Sequence, residues 1–248
     1  MCGRYANTKS GEELGRYFEA DEVDEVRLPP SWNIAPTQRI HVVVDTVPKD
    51  LAGLGADAPV TRRVTTARWS LVPRFAKELA SKYPTFNARS ETAAEKPTFR
   101  SSVVRSRALV PADGYYEWLT VGKTKTPYFV TDPEEGELAF AGLYSWWRPP
   151  AAAGSDGAEG GEPEPWVLTA TILTRAAAGP AARIHDRIPV MLPRSEWDAW
   201  LDPTIAGDHA LVQHAVAASQ PVIERLAVHE VAPLRGDGPE LIAPLNPL

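Results

Sequence analysis

The chain has 248 residues, of which 44% are hydrophobic and 23% are charged, and its formal net charge is −6 at pH 7. This length suits one globular domain, and no apolar run approaches the ~18 residues of a membrane helix, so a membrane-spanning protein is excluded. The single cysteine excludes an internal disulfide and a multi-thiolate metal site, and the 5 histidines lack HExxH-type spacing. We therefore predict no metal, no cofactor and, without a secretory signal, a cytoplasmic location.

Short β-rich runs separated by turns dominate the predicted elements. In chain order, the strand candidates begin at Ile40, Val64, Arg107, Pro127, Leu138 and Trp166, and residues 115–130 form a hairpin with Gly122 in its turn. The helix candidates are Gly11 to Phe18, Arg74 to Lys82, Ser195 to Leu201 with Ser195 as N-cap, and Asp208 to Ala218. The pattern predicts an α+β fold that is predominantly antiparallel β, an open barrel-like sheet with flanking helices.

One segment differs in composition from the rest of the chain. Residues 149–165, PPAAAGSDGAEGGEPEP, are rich in Pro, Gly, Ala and acidic residues and have too few apolar side chains to offset the entropy of ordering. Because strand candidates lie on both sides, we interpret this segment as a flexible insertion within a single domain that spans 1–248. The Pro-rich tail after Val231 is expected to be irregular.

The charge is spread unevenly along the chain. Residues 61–107 contain 11 Lys or Arg and 3 Asp or Glu, a local charge of +8, which leaves 15 basic and 29 acidic residues, or −14, elsewhere. Such asymmetry can leave a basic surface for nucleic acid on an acidic protein. Charge alone favours the plainer interpretation, in which these residues scatter over the surface.

The lone cysteine is the second residue. If Met1 is removed, Cys2 carries an α-amine, with an ordinary pKa of about 7.7–8.0, beside a thiol that a nearby cation or base readily activates. The amine condenses with an aldehyde to an imine, and the sulfur then closes a five-membered thiazolidine. Ring-opened abasic deoxyribose offers such an aldehyde. An incidental Cys2 behind a retained Met1 is the alternative, and position alone does not decide between them.

Four motifs carry more specific information. They are CGRY from Cys2, NARSET from Asn87, VPADGYYEW from Val110 and HDRIPVML from His185, supported by NIAPTQ, WSLVP, FAGLYSWW and TILT in between. In this order, from Cys2 to about Trp200, they closely resemble the SOS response-associated peptidase (SRAP) family, whose members crosslink to abasic sites in DNA. Ser70 and Phe75 depart from the glycine and tryptophan expected there.

The resemblance implies a catalytic set of Cys2, Asn87, Glu117 and His185. Asn87 would orient the N-terminal residue, Glu117 would shuttle protons and His185 would assist ring opening of the sugar. Each has a plainer alternative: Asn87 as the N-cap of a helix over Ala88 to Ala94, Glu117 as a solvent-facing hairpin residue, and His185 as a structural histidine.

The resemblance also implies contacts with DNA, mainly with phosphate because an abasic lesion offers no base. Arginines inside the motifs are the phosphate-binding candidates, Thr174 is a further donor, and two tryptophans are candidates for stacking on flanking bases. Core packing is the usual fate of such aromatic side chains in strands. The DNA-binding set is therefore Arg4, Trp69, Arg89, Trp118, Thr174 and Arg187.

The expected function is that of an abasic-site sensor in the DNA damage (SOS) response, a monomer that bonds covalently to single-stranded DNA and is consumed by that reaction. It would associate with the nucleoid when bound, and lyase or self-processing peptidase activity would be compatible. Two alternatives stay open. One is an N-terminal-nucleophile peptidase or amidohydrolase, and the other is a non-covalent single-stranded DNA-binding module.

Overall fold

The computed structural model describes residues 2–48, 51, 58–80, 83–134, 136–149 and 165–245. The strands are β1 Tyr5–Asn7, β2 Glu22–Val23, β3 Ser31–Ile34, β4 Arg39–Thr46, β5 Thr61–Trp69, β6 Asn87–Arg89, β7 Arg107–Ala112, β8 Gly114–Val121, β9 Thr124–Thr131, β10 Leu138–Trp147, β11 Val167–Ala176, β12 Arg187–Pro189 and β13 Ala227–Glu230. The helices are α1 Gly11–Tyr17, α2 Arg100–Arg105, α3 Trp197–Leu201, α4 His209–Ala218 and α5 Gln220–Arg225, with 3-10 turns at Gly179–Arg183, Arg194–Glu196 and Pro239–Ile242. The predicted insertion falls largely on 150–164, outside the described residues.

The described strands form two mostly antiparallel sheets. The smaller has the order β13-β9-β8-β1-β3 and the larger the order β12-β11-β10-β7-β4-β5-β2, with β6 added beside β11. In the larger sheet β5 pairs with β4 and also, through Arg68 and Trp69, with β11, which turns the sheet into a ring-like arrangement. The predicted α+β class, with a predominantly antiparallel, barrel-like sheet and flanking helices, is confirmed.

The two faces of the larger sheet are buried against different partners. Alternate residues of β10 and β11, among them Phe140, Tyr144 and Ile172, point into an inner core that also contains Cys2 and Tyr115 of the smaller sheet. The intervening residues join an outer core beneath α1, α2, α3 and α4. Since side chains alternate along a strand, the sheet supplies both cores, and the second residue of the chain lies in the one between the sheets.

Local sequence signals account for the elements that were predicted well. Every predicted strand is present, and the β8–β9 hairpin turns at Gly122, whose φ of 61° favours glycine. Ser10 and Glu13 form a capping box at the start of α1, and Asp208 caps α4.

One predicted helix is absent, and two residues considered as N-caps do not cap a helix, although the helix predicted up to Leu201 is present as α3. Residues 74–80 form turns and bends, because the Ala76 carbonyl accepts a hydrogen bond from the Trp147 indole (2.9 Å) instead of from the next helical turn. Asn87 begins strand β6 rather than capping a helix. Ser195 lies inside a 3-10 turn that leads into α3, and it makes no capping hydrogen bond.

Candidate active site

The pairing of β1 with β8 brings the start of the chain beside Glu117. Tyr5 lies opposite Tyr115, and the Tyr116 amide donates to the Arg4 carbonyl at 2.9 Å. In an antiparallel pair, residues that precede Tyr5 lie opposite residues that follow Tyr115. This register therefore directs Cys2 toward the part of β8 that carries Glu117.

Asn87 holds Cys2 from the larger sheet. It is paired with Ile172 at the start of β6, and its side-chain nitrogen donates to the Cys2 carbonyl at 2.7 Å. The contact joins residues on different sheets and fixes the backbone of the second residue. Cys2 is thus positioned by strands from both sheets rather than lying free at the end of the chain.

The Cys2 side chain is in a medium that opposes ionisation. Its exposed fraction is 0%, and its sulfur contacts only the Arg4 carbonyl, at 3.9 Å, among the hydrogen-bonding groups of the described residues. Burial raises the pKa of the thiol well above its usual range, and the nearby Glu117 carboxylate raises it further. The positive charge of the N-terminus lowers the pKa, but burial outweighs it, so the thiol form is favoured over the activated sulfur that the sequence had suggested.

Glu117 is buried, with 3% of its surface exposed. Burial raises the pKa of its carboxyl group above the usual value, while the charge of a protonated His185 lowers it. The hairpin position did not make this residue solvent-facing, so the plainer alternative for Glu117 is wrong. A buried carboxyl with a raised pKa near a thiol is suited to proton transfer.

His185 lies on the loop that leads into β12 and is partly exposed. Its Nδ1 accepts a hydrogen bond from the Arg187 backbone amide at 3.0 Å and lies 2.8 Å from an Asp186 carboxylate oxygen. One ring nitrogen cannot accept and donate at once, so the first contact belongs to the neutral ring and the second to the protonated ring. The imidazole therefore has a partner in either charge state, and it interacts electrostatically with Glu117.

Sequence reasoning missed two phenols at this site. Tyr5 and Tyr115 are fully buried, and neither hydroxyl has a hydrogen-bond partner among the described residues. Burial raises the pKa of both, and both interact electrostatically with Cys2. Their place on β1 and β8, directly opposite each other, was a usable signal once the pairing register was known.

The motif arginines occur in three different settings. Arg4 donates to the Asn33 side chain at 2.8 Å, whereas Arg89 is exposed on β6. Arg187 is bound by both Glu91 carboxylate oxygens (2.5 and 2.9 Å) and donates to the Thr174 carbonyl at 2.6 Å. Glu91, which sequence reasoning missed, binds the edge of the guanidinium group that would otherwise be able to bind a phosphate.

Two of the expected DNA-contacting residues are inaccessible. Trp69 has an exposed fraction of 0%; its indole packs edge-on against Tyr5 and donates to the Phe86 carbonyl at 2.9 Å. Thr174 is also fully buried, with its hydroxyl directed at the Ala88 carbonyl (3.4 Å). Neither side chain has a face or donor available to a strand of DNA, which corrects both predictions. Trp118 is partly exposed.

Three arginines of the basic stretch 61–107 already have partners or are buried within the protein. Arg62 is paired with Asp45 (2.8 Å), Arg63 is paired with Glu22 (3.0 Å), and Arg107 is buried.

Over the described ranges, no group of His, Cys, Asp and Glu is arranged to hold a metal ion. None of the helices in that part of the chain has the length and apolar character to cross a bilayer.

Comparison with known proteins agrees with this architecture. The abasic site processing protein YoqW of Bacillus subtilis is 34% identical over 205 residues, 82% of this chain and 81% of its own length. The abasic site processing protein HMCES of Gallus gallus is 30% identical over an alignment of 288 positions, which covers 99% of this chain and 78% of its own length. A crystal structure from Bacteroides thetaiotaomicron shares the fold, with a TM-score of 0.75 at 19% identity over 99% of this chain and 100% of that one. The family described as SOS response associated peptidase (SRAP) matches residues 1–234, and the chain belongs to that family.

Proposed function

We propose that this protein processes abasic sites by capturing them in single-stranded DNA through Cys2. The observation that carries the proposal is the 2.7 Å hydrogen bond from Asn87 to the Cys2 carbonyl, which holds the only cysteine of the chain near a buried carboxyl group. The names of the relatives, abasic site processing proteins, support the substrate class. An incidental cysteine would need neither this anchor nor these neighbours.

The reactive form is the chain without Met1. Hydrolysis of the Met1–Cys2 peptide bond consumes one water, releases methionine and converts the Cys2 nitrogen from an amide into an amine. This step matters because an amide nitrogen does not form an imine. Removal of Met1 is the only peptide cleavage that this reaction scheme requires.

The capture reaction then proceeds in two bond-forming steps. The amine of Cys2 adds to the C1′ aldehyde of the ring-opened sugar, and the resulting carbinolamine loses one water to give an imine. The thiol sulfur adds to the imine carbon while its proton passes to the nitrogen, so that a thiazolidine forms. Because the thiol is neutral, addition by the amine comes first, and the thiol supplies its own proton in the ring closure.

Glu117 and His185 divide the proton transfers in this scheme. The Glu117 carboxyl, with its raised pKa, removes a proton from the attacking amine and returns one to the departing hydroxyl. His185 acts on the sugar hydroxyl during ring opening. Asn87 positions Cys2 by donating a hydrogen bond to the Cys2 carbonyl, and it does not touch the reacting atoms.

The residues proposed to contact DNA are those of the expected set whose side chains are not fully buried. Arg4, Arg89 and Arg187 bind phosphates, with Arg187 exchanging Glu91 for the DNA, and Trp118 packs on a neighbouring base. Trp69 and Thr174 are not proposed as DNA-binding residues, because both side chains are fully buried. Trp69 instead supports the wall of the core that holds Cys2.

The experiment is denaturing gel electrophoresis after mixing the purified chain with a single-stranded oligonucleotide that carries one abasic site. We expect an adduct that survives denaturation, no adduct for undamaged DNA, and for Cys2→Ala and Cys2→Ser only a labile imine that borohydride traps. β-Elimination from that imine would nick the strand, which is the expected lyase side reaction. Mass spectrometry of the adduct should show loss of Met1.

The same gel separates the alternatives. A non-covalent DNA-binding module gives no adduct, and its salt-sensitive binding survives Cys2→Ala. A peptidase or amidohydrolase gives an acyl-enzyme with an amide substrate and turns over. Either result, or an adduct on a chain that still carries Met1, contradicts the proposal.

A further inference from the structure

One cluster of exposed aromatic and cationic side chains lies outside the site described above. The Arg148 guanidinium carbon lies 4.7 Å from the centroid of the Trp166 ring, and that of Arg74 lies 5.7 Å from it. Trp166 and Trp146 keep 44% and 47% of their surface exposed. We call Arg74, Trp146, Arg148 and Trp166 the Trp166 patch.

The patch lies on the side of the larger sheet that faces Cys2. Trp146 lies opposite Leu168 in the β10–β11 pair, so both side chains leave the sheet on the same face. That face is the inner one, since Leu168 packs in the same core as Cys2. Trp166 directly precedes β11, in alternation with Leu168.

The patch is also joined to the anchor of Cys2. Arg74 belongs to the segment between β5 and β6, which ends at Asn87, and the Trp147 indole binds this segment through the Ala76 carbonyl (2.9 Å). Ile172, the partner of Asn87 on β11, lies six residue steps from Trp166, which is about 20 Å at ~3.3 Å per step. At ~3.4 Å per stacked nucleotide, about six nucleotides cover that distance.

The four residues of the patch carry two positive charges and no negative one. Arg74 and Arg148 are exposed, both guanidinium groups lie over the Trp166 ring, and neither forms an ion pair with a described residue. Arg62 and Arg63, in the same stretch 61–107, do contact Asp or Glu. Two cations that form no ion pair among the described residues, beside two exposed indoles, suit a partner that is both anionic and flat.

We propose that the Trp166 patch binds the bases and phosphates of the single strand that continues beyond the captured site, an inference that rests on the proposed function. Bases stack on indole and guanidinium faces whatever their sequence, and the arginines neutralise the phosphates between them. An acidic peptide would satisfy the arginines but leave both indoles uncovered. A single-stranded nucleic acid satisfies both kinds of group.

The test is equilibrium binding of undamaged oligothymidylate of about 16 nucleotides, the upper end of single-strand site sizes, followed by fluorescence anisotropy. Undamaged DNA offers no aldehyde, so the result is independent of Cys2 chemistry and of whether the proposed function holds. Trp166→Ala should weaken binding about fivefold or more, as expected for the loss of one stacked base. Arg74→Ala combined with Arg148→Ala should lower the salt dependence of log K by about 0.7 per lost phosphate contact.

Arg194→Ala is the matched control. Arg194 is also exposed and lies 5.7 Å from the ring of a tryptophan, Trp197, but it belongs to the helix-covered outer side of the sheet. Its substitution should leave the affinity and the salt dependence unchanged. Equal losses for Arg194→Ala and the patch variants, an unchanged affinity for Trp166→Ala, or equally strong competition by polyglutamate would each overturn the proposal.

Discussion

At Cys2 the surrounding residues favour a neutral thiol over a thiolate. Burial and the Glu117 charge both raise its pKa, and the neighbouring Tyr5 and Tyr115 bring hydroxyls rather than cations. A catalyst that relied on a thiolate would need the opposite environment. The environment instead suits a reaction in which nitrogen attacks first, and in which a protonated sulfur follows and supplies the final proton.

The proposed proton shuttle gives the first prediction. Glu117→Gln removes the ionisable group and keeps the shape, so we expect the rate of adduct formation to fall by about 10²–10⁴-fold, the usual contribution of general acid–base catalysis. The pH–rate profile of the wild type should contain an ionisation above the usual glutamate pKa, since burial raises that of Glu117, and the variant should lack it. Quenched time courses on denaturing gels across the pH range measure both.

Glu25→Gln, at an exposed glutamate, is the control and should react at the wild-type rate. Binding of undamaged DNA should be similar in all three proteins. A Glu117→Gln chain that reacts as fast as the wild type, with the same pH profile, would assign Glu117 a structural role only.

The ion pair between Arg187 and Glu91 leads to the second prediction. Glu91 holds the Arg187 guanidinium through both carboxylate oxygens at a half-exposed position. Glu91→Gln releases that cation to phosphate, and exposed pairs contribute about 0.2–1 kcal/mol, so single-stranded DNA should bind up to about fivefold more tightly. Fluorescence anisotropy at two salt concentrations measures the gain, which should shrink at high salt. Weaker binding would instead show that Glu91 orients Arg187 for the DNA.

At the scale of elements, the contact between β1 and β8 determines where Cys2 lies, and Gly114 allows the strands to approach. A Cβ atom at Gly114 would lie 2.6 Å from the Val130 carbonyl oxygen and would overlap the Phe129 ring, while Gly114 pairs with Ala6 of β1. Gly114→Ala should therefore cost about 1–3 kcal/mol of unfolding free energy, as overpacking does. It should also slow adduct formation well below the melting temperature, because β1 must shift.

Gly122→Ala provides the comparison for this third prediction. A Cβ atom there meets nothing within 4 Å, and only the φ of 61° opposes it. We expect a loss of roughly 1 kcal/mol from backbone strain and an unchanged rate of adduct formation. Urea denaturation and gel time courses on both variants decide the matter: equal rates for Gly114→Ala and wild type would show that the β1–β8 register is not strained by the added carbon.

The same contrast explains what the sequence could predict. Alternation and turn residues are local, so the longer strands and the Gly122 hairpin were found, whereas the short strands β1, β2, β3, β6 and β13 were not. The turns at 74–80 depend on a hydrogen bond from Trp147, which is distant in sequence. The roles of Asn87 and Trp69 depend on parallel pairing with β11. Neither kind of long-range contact leaves a local pattern in the sequence. Motif resemblance named Cys2, Glu117 and His185, but their burial and the two phenols follow only from packing.

Across the whole molecule, a buried ionic cluster ties the two sheets together. Lys9, just after β1, contacts both Asp113, between β7 and β8, at 2.9 Å and Glu137, just before β10. Asp113 also accepts hydrogen bonds from the Thr8 amide and hydroxyl, each at 2.7 Å. The cluster fixes the end of β1 against the larger sheet, so its charge state bears on the stability of the entire fold.

Glu137 gives the fourth prediction. Burial raises its pKa from 4.5 to about 7, against the opposing charge of Lys9. A folded-state pKa above the unfolded one means that the native chain holds the proton more tightly. The stabilisation is therefore complete below pH 4.5 and is lost as the pH rises through about 7. Glu137→Gln cannot ionise, so the wild type should lose unfolding free energy relative to this variant over that window.

Each unit of pKa shift corresponds to about 1.4 kcal/mol, so the difference between the two proteins should change by a few kcal/mol between pH 4.5 and pH 8. Urea denaturation of both at several pH values measures it, and every other titrating group cancels in the comparison. Lys9 keeps Asp113 as a partner in the variant, so the cluster is not dismantled by the substitution. A difference that stays constant with pH would mean that Glu137 is already ionised at the acid end, with the Lys9 ammonium outweighing the cost of its burial.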